Sequence, residues 1–274
     1  MKSNKWKFLL TGAATLTLLT ACTQASSQSA TKSNTAQTTA TSTSKNKTNN
    51  SNYFTDKDKD SSYDESKAST VKLSGSSASV SGDGVAVSGS TVTISKAGTY
   101  VISGESDGVQ IKVEAGDSDD VHIVLKGVTM TNTNAPISAT KAGHVYLTLA
   151  DGTTNTLSDS SSNNDEDADA VIFSKGDLTI NGSGTLNIDA KKNNGIKAND
   201  TLHITGGTYK ITAVGDAFNV NDELNITGTT MTIDADEDAV KVDNDEDTSV
   251  GTMYLSDNKM TITAGDDGIM LLVI

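Results

Sequence analysis

Residues 216–242 read DAFNVNDELNITGTTMTIDADEDAVKV, and the spacing inside that stretch decides the fold. It opens on the phrase Asp216-Ala217-Phe218-Asn219-Val220 and closes on a second copy, Asp238-Ala239-Val240-Lys241-Val242, 22 residues later. Between them lie two alternating runs, Leu224-Asn225-Ile226 and Met231-Thr232-Ile233. Alternation of period two marks a strand with one buried face, and the Asn, Asp and Gly residues between the runs mark turns. Three short strands per repeat of about 22 residues suit one coil of a parallel β-helix.

The same phrase recurs outward from this stretch. Copies begin at Asp83, Asp107, Asn134 (degenerate), Asp169, Asn194, Asp216, Asp238 and Asp267, at intervals of 24, 27, 35, 25, 22, 22 and 29 residues. Self-similarity at such a period signals stacked repeats. The expected fold is therefore all-β, a right-handed parallel β-helix with three short strands per coil. The longest interval holds an insertion, Asp151–Ala168, expected to loop out of one coil. A propeller blade needs roughly 40 residues and a leucine-rich repeat needs its Asn ladder, and neither fits. The chain stops at Leu272-Val273-Ile274, mid-coil and without the polar cap a terminal repeat requires, so a truncated C-terminus is expected.

Composition sets the remaining boundaries. Lys2, Lys5 and Lys7 followed by the apolar run Phe8–Thr20 form a leader, and Leu19-Thr20-Ala21-Cys22 resembles a bacterial lipobox, so residues 1–22 are expected to be a lipoprotein signal peptide with Cys22 the lipidated residue. Cys22 is the only cysteine, which excludes disulfides and cysteine catalysis. Residues 23–70 are Ser, Thr, Asn, Gln, Lys and Ala with little to bury, and read as a disordered tether, the charge run Asp56–Glu65 included. Residues 71–274 form the β-helix. Removing the three leader lysines takes the formal net charge from -14 to -17, a surface that repels phosphate backbones, so nucleic acid is not an expected partner. A monomer on the extracellular face of the cell membrane, held there only by its N-terminal lipid, is the expected form.

Stacked coils bring the first residues of successive phrases into one column. Like charges about 4.8 Å apart repel by about 1 kcal/mol in water, so a column of aspartates requires a reason. One reason is calcium, a hard cation taking six to eight oxygens, with Asp216, Asp222, Asp236, Asp238, Asp243, Asp266 and Asp267 as candidate ligands. The other is that each aspartate caps its turn by accepting backbone amides. Aligning the second strand of each coil places His122, Tyr146, Thr179, His203, Asn225 and Tyr254 in a second, outward column, in which Tyr146, His203 and Tyr254 are candidate glycan-stacking residues. The outward positions of the phrase strand carry Lys197 and Lys241 with Asn219 between them; in an elimination reaction on a uronate either lysine is a candidate base, although the chain has no arginine to clamp the carboxylate. The three histidines show no metal-ligand spacing and read as surface residues.

Several stretches resemble a known family: Ala97-Gly98-Thr99-Tyr100-Val101-Ile102-Ser103-Gly104, Val124-Leu125-Lys126-Gly127-Val128, and Lys175-Gly176-Asp177-Leu178-Thr179-Ile180-Asn181-Gly182-Ser183-Gly184-Thr185-Leu186, together with the Asp-Gly/Ala-apolar phrases. They are similar to the calcium-binding, polysaccharide-lyase-like β-helix domains of bacterial surface proteins that bind cellulose- and pectin-type glycans. The resemblance implies calcium between turns and a polysaccharide partner. It departs where Asp169, Asp216 and Asp238 are followed by Ala instead of Gly. The expected function is polysaccharide binding by a calcium-stabilised cell-surface lipoprotein; a lyase and a structural stalk or adhesin are the alternatives.

Overall fold

A computed structural model describes residues 53–244, 247 and 249–273, with the backbone alone for Ala36–Thr41 and for Leu272 and Val273. These residues belong to one compact unit, residues 35–274. The leader, Cys22 and the tether before residue 53, apart from Ala36–Thr41, lie outside the described residues.

The structure is nearly all-β, with parallel strands stacked in a β-helix-like arrangement. From Ile137–Lys141 to Val240–Asn244, each strand pairs with the third strand after it. Asn194–Ala198 pairs with Phe218–Val220, Thr201–Thr205 with Glu223–Thr227, and Thr208–Ala213 with Thr230–Ala235, all parallel. The next set, Val240–Asn244, Thr252–Ser256 and Lys259–Ala264, continues each ladder. Three faces result. The first runs from Ser69–Gly75 and Gly98–Asp107 through Asp120–Leu125, His144–Leu149 and Leu178–Gly182 to Thr252–Ser256. The second runs from Thr129–Thr131 to Lys259–Ala264, and the third, built largely from the phrases themselves, from Thr91–Ile94 through Gln110–Glu114 to Met270–Val273.

The alternation in sequence becomes columns of like residues inside. Leu178, Leu202 and Leu224 stack on the first face, Ile188, Ile211, Ile233 and Ile262 on the second, and Ile196, Phe218 and Val240 on the third. All of them are buried in one continuous core, each worth about 2 kcal/mol of apolar burial. Between the first and second faces the chain turns through left-handed backbone in a column of its own. Gly182, Gly206 and Gly228 have φ of 98°, 82° and 69°, and the position beneath them holds Asp257, the only non-glycine with positive φ among the described residues, at 54°. A side chain costs about 1–2 kcal/mol in that conformation, which is why glycine dominates there.

Three expectations are corrected by this geometry. The copy at Asp83 is not a parallel rung: Val85–Ser88 runs antiparallel to Thr91–Ile94, and Ser77–Ser81 antiparallel to Ser69–Gly75, so the first residues fold into hairpins that cover the N-terminal edge of the stack. The insertion is shorter than Asp151–Ala168, because Thr154–Ser158 is a regular strand of the second face. Of its two inward positions Leu157 is aliphatic, but the first is Asn155. Fully buried, Asn155 accepts from the Val128 amide at 2.9 Å and donates to the Thr185 carbonyl at 3.3 Å, so the strand is held by rungs on both sides without an apolar alternation to announce it.

The third correction concerns the tether. Ala36–Thr41 adds an antiparallel strand to the edge strand Lys259–Ala264. Residues 53–68 lie along the first face, with Phe54 and Asp58 only 3% and 1% exposed. Composition gave no sign of this, since two anchoring residues a helical turn apart suffice when the receiving surface supplies both an apolar seat and polar partners.

Candidate functional site

The first face presents outward the column His122, Tyr146, Thr179, His203, Asn225 and Tyr254, adjacent residues of which are partners in successive rungs. Beside it runs a column beginning Asp120 and His144 and ending Thr201, Glu223 and Thr252; on its other side lie Thr148, Asn181, Thr205, Thr227 and Ser256. All three histidines thus share one face: the spacing in sequence aligned His122 with His203, and the structure adds His144 from the neighbouring column.

Their protons can be placed from the network. Thr148 Oγ1 donates to Asn181 Oδ1 at 2.6 Å, and so accepts from His122 Nε2 at 2.8 Å. Thr179 Oγ1 donates to Asp58 Oδ1 at 2.6 Å, and so accepts from His144 Nε2 at 2.9 Å. Burial holds both rings below the usual imidazole value and keeps them neutral. His203 differs. Its Nε2 lies 3.0 Å from Glu223 and its Nδ1 3.2 Å from Asp58, the second contact an ion pair whose N–H points off the bond axis. Burial favours the neutral ring, but the two carboxylates outweigh it and raise this imidazole above its ordinary value. Burial likewise works against the Asp58 charge, yet the His203 contact and hydrogen bonds from Thr179 and Thr55 hold its carboxyl well below the usual carboxylate range. Tyr146 stacks on His144 at 4.1 Å, and its hydroxyl is pushed up to about 12, first by burial and then by Asp120, Asp58 and Asp177 nearby.

An imidazole raised on folding stabilises fully below about pH 6.5, and that stabilisation is lost as pH climbs through the raised value. NMR titration should therefore find His203 titrating above His122 and His144, and Asp58→Asn should move only His203 markedly downward. Three coincident titrations would remove the ion pair from this account.

Residues 53–65 cross every rung of the central column. Tyr53 stacks on Tyr254 with ring centroids 3.7 Å apart, and its carbonyl accepts from Asn225 Nδ2 at 2.9 Å. Phe54 meets the edge of His203 at 5.5 Å. Asp58 sits in the turn Asp56–Lys59, capped by Thr55. Its carbonyl accepts from Asn181 Nδ2 at 3.2 Å and Thr205 Oγ1 at 2.7 Å. Lys57 pairs with Asp120 and lies 4.4 Å from the centre of the Tyr146 ring. Tyr63 meets His122 edge-on at 6.4 Å, and Glu65 pairs with Lys126 at 2.7 Å. At this end a cleft of about 260 Å³ opens between Lys57, Asp60, Asp120, His122 and Tyr146.

The acidic column is a hydrogen-bond ladder. Asn194 Oδ1 accepts the Asp216 amide at 3.1 Å, Asp216 Oδ1 the Asp238 amide at 3.0 Å, and Asp238 Oδ1 the Asp267 amide at 2.8 Å. Each of these three side chains satisfies the backbone of the rung beside it, so capping accounts for the acid or amide at Asn194, Asp216 and Asp238, whereas Asp169 accepts from the Asn193 and Lys197 side chains and Asp107 from Thr131. The lysines serve as counter-charges: Lys197 lies 2.7 Å from Asp169 and Lys241 3.8 Å from Asp216, whose second oxygen also accepts from Asn219 at 2.7 Å.

The expected calcium ligands fall into two separate places. Asp216, Asp236, Asp238, Asp266 and Asp267 share the turn that leads into the third face, where Asp238 is raised by burial and by Asp216 and Asp266. Asp222 and Asp243 belong to the far end of that face, Asp222 accepting from Asn244 at 2.7 Å. Among the described residues no group of three or more His, Cys, Asp or Glu side chains converges to hold a metal.

Stacked parallel rungs define the fold class as β-helix-like, and the comparisons with known proteins supply the family. A family model described as carbohydrate-binding domain-containing protein matches residues 88–271, and the chain belongs to that family. It is 38% identical over 126 residues to a carbohydrate-binding domain-containing protein of Acetivibrio thermocellus, a match covering 44% of each chain, so less than half of that relative's length is spanned. Among solved structures it resembles the polysaccharide lyase-like protein from C. thermocellum, determined as a gadolinium derivative, with a TM-score of 0.70 and 29% identity over 74% of this chain and 93% of that one.

Proposed function

We propose that this protein is a lipid-anchored cell-surface lipoprotein that binds polysaccharide along the first face of its β-helix. The single observation that carries the reading is the unbroken outward column from His122 to Tyr254. Its rungs repeat at about 4.8 Å, so aromatic rings, imidazoles, an amide and a hydroxyl form a linear array along the stack, suited to an extended sugar chain. Family membership supports the ligand class. The reading takes the stack as a right-handed coil of three strands, the form that pairing of each strand from Ile137 on with its third successor supports. Cys22 and the leader supply the anchor in this reading.

Calcium enters as a co-ligand. The exposed acids Asp236, Asp266 and Asp267 offer hard oxygens at one turn, and an ion there would complete its shell with water or glycan oxygens. A lanthanide seeks the same oxygen donors, and the structural relative was determined as a gadolinium derivative. The lysines' commitment to Asp169 and Asp216 favours a binder over a uronate lyase, since both already have a structural use.

Glycan-array binding with the full chain, with and without chelator, tests the reading. Polysaccharide binding that Tyr254→Ala weakens by about tenfold is expected, as aromatic stacking contributes on the order of 1 kcal/mol or more. Failure to bind any polysaccharide under either condition would end it; binding indifferent to chelator would remove only the calcium.

A further inference from the structure

The strip that suits a polysaccharide is already occupied. Tyr53, Phe54, Lys57, Asp58 and Tyr63 meet all six members of the central column, running antiparallel to the order of rungs from Tyr254 back to His122. The contacts they make have the character a bound sugar chain would have: a flat ring stacked on Tyr254, an oxygen taking the Asn225 amide, and acceptor oxygens facing Thr179, Thr205, Asn181 and His203.

We infer that residues Tyr53–Glu65 form an intramolecular strap that acts as a pseudo-ligand of the first face and must leave it, in whole or from one end, for polysaccharide to bind. The inference rests on the reading of that face as the glycan site. Two features make the strap displaceable. Only Phe54 and Asp58 are fully buried, while the ion pairs at its flanks, Lys57 with Asp120 and Glu65 with Lys126, are half-exposed and screened by solvent. The one regular element within it is a single helical turn, Asp56–Lys59, too short to persist once released. The open cleft beside Tyr146 and His122 provides a place where an incoming chain could engage the first rungs before the strap departs.

When only a fraction of molecules is open, apparent affinity falls by that fraction, so loosening the strap should tighten binding without any new contact. The test uses the full chain and two probes, polygalacturonate and a soluble neutral β-glucan, measured by calorimetry on the wild type, on Phe54→Ala/Asp58→Ala, and on Tyr254→Ala. The double variant should bind at least one probe on the order of tenfold more tightly than wild type. Equal affinity in wild type and double variant would show that glycan binds while the strap is irrelevant, overturning this inference and leaving the proposed function intact. Weaker binding by the double variant would make the strap part of the platform and also overturn it. No binding by any variant would overturn both. Because the double substitution could also disturb the face, a second readout uses wild type alone: saturating glycan should speed tryptic cleavage after Lys57 or Lys59 several-fold, and protection of those bonds would refute displacement.

Discussion

Gly182→Val should destabilise the protein by about 4 kcal/mol, enough to consume much of the 5–15 kcal/mol that holds a typical domain. Two independent causes combine. The backbone at Gly182 has φ of 98°, a region side chains rarely adopt, and a Cβ there would lie within van der Waals overlap of the Leu149 carbonyl oxygen on the adjacent rung. That oxygen cannot retreat, because it accepts the Gly184 amide at 3.2 Å and its strand is locked between neighbours on both sides. Gly228→Ala is the control. It shares the left-handed backbone, at φ 69°, but the atom nearest to where its methyl group would sit is 3.9 Å away, so only conformational strain of about 1–2 kcal/mol is expected. Urea denaturation of both variants separates the two contributions; equal losses would show that steric overlap between rungs is unimportant.

Asp216→Ala should cost about 2–3 kcal/mol, whereas Asp216→Asn should cost less than about 1. The side chain is 2% exposed. Its Oδ1 takes the amide of Asp238, which is itself buried, and its Oδ2 takes Asn219, so alanine strands an amide and a side-chain donor and removes a counter-charge from Lys241. Asparagine keeps the Oδ1 acceptor, as Asn194 already does one rung earlier. If asparagine proved as damaging as alanine, negative charge would be the requirement at this position, and a cation would return as its explanation. Measuring both thermal midpoints with calcium and with chelator makes the distinction directly, because an ion bound only to the native state raises its stability by mass action.

The parts of the fold legible in sequence are those set by local periodicity. Inward leucines and isoleucines, outward polar residues and turn glycines repeat at the pitch of the coil, and a chain that repeats its pattern must stack like on like once its strands run parallel. The register of the central column, His122 through Tyr254, follows from that spacing alone, as does the pairing of Lys197 with Asn219 and of Asn219 with Lys241. Position in a column, however, does not state what the column does. Carboxylates at the phrase's first position read equally as metal ligands or as caps, and only the placement of Asp216 and Asp238 oxygens against the amides of the next rung shows the capping role.

Strand Thr154–Ser158 and residues 53–68 were illegible for a different reason. Asn155 breaks the apolar alternation because backbone groups 27 and 30 residues away complete its hydrogen bonds. Asp58 belongs to a polar, charge-rich run whose composition predicts solvation, and its burial depends on Thr179, 121 residues distant, and on His203 farther still. The sequence by itself determined the repeat, the inward faces and the alignment of outward columns, since each depends on residues one coil apart. Only the tertiary structure decided that the histidine and tyrosine face is covered, because burying a carboxylate is favourable solely where distant donors converge on it.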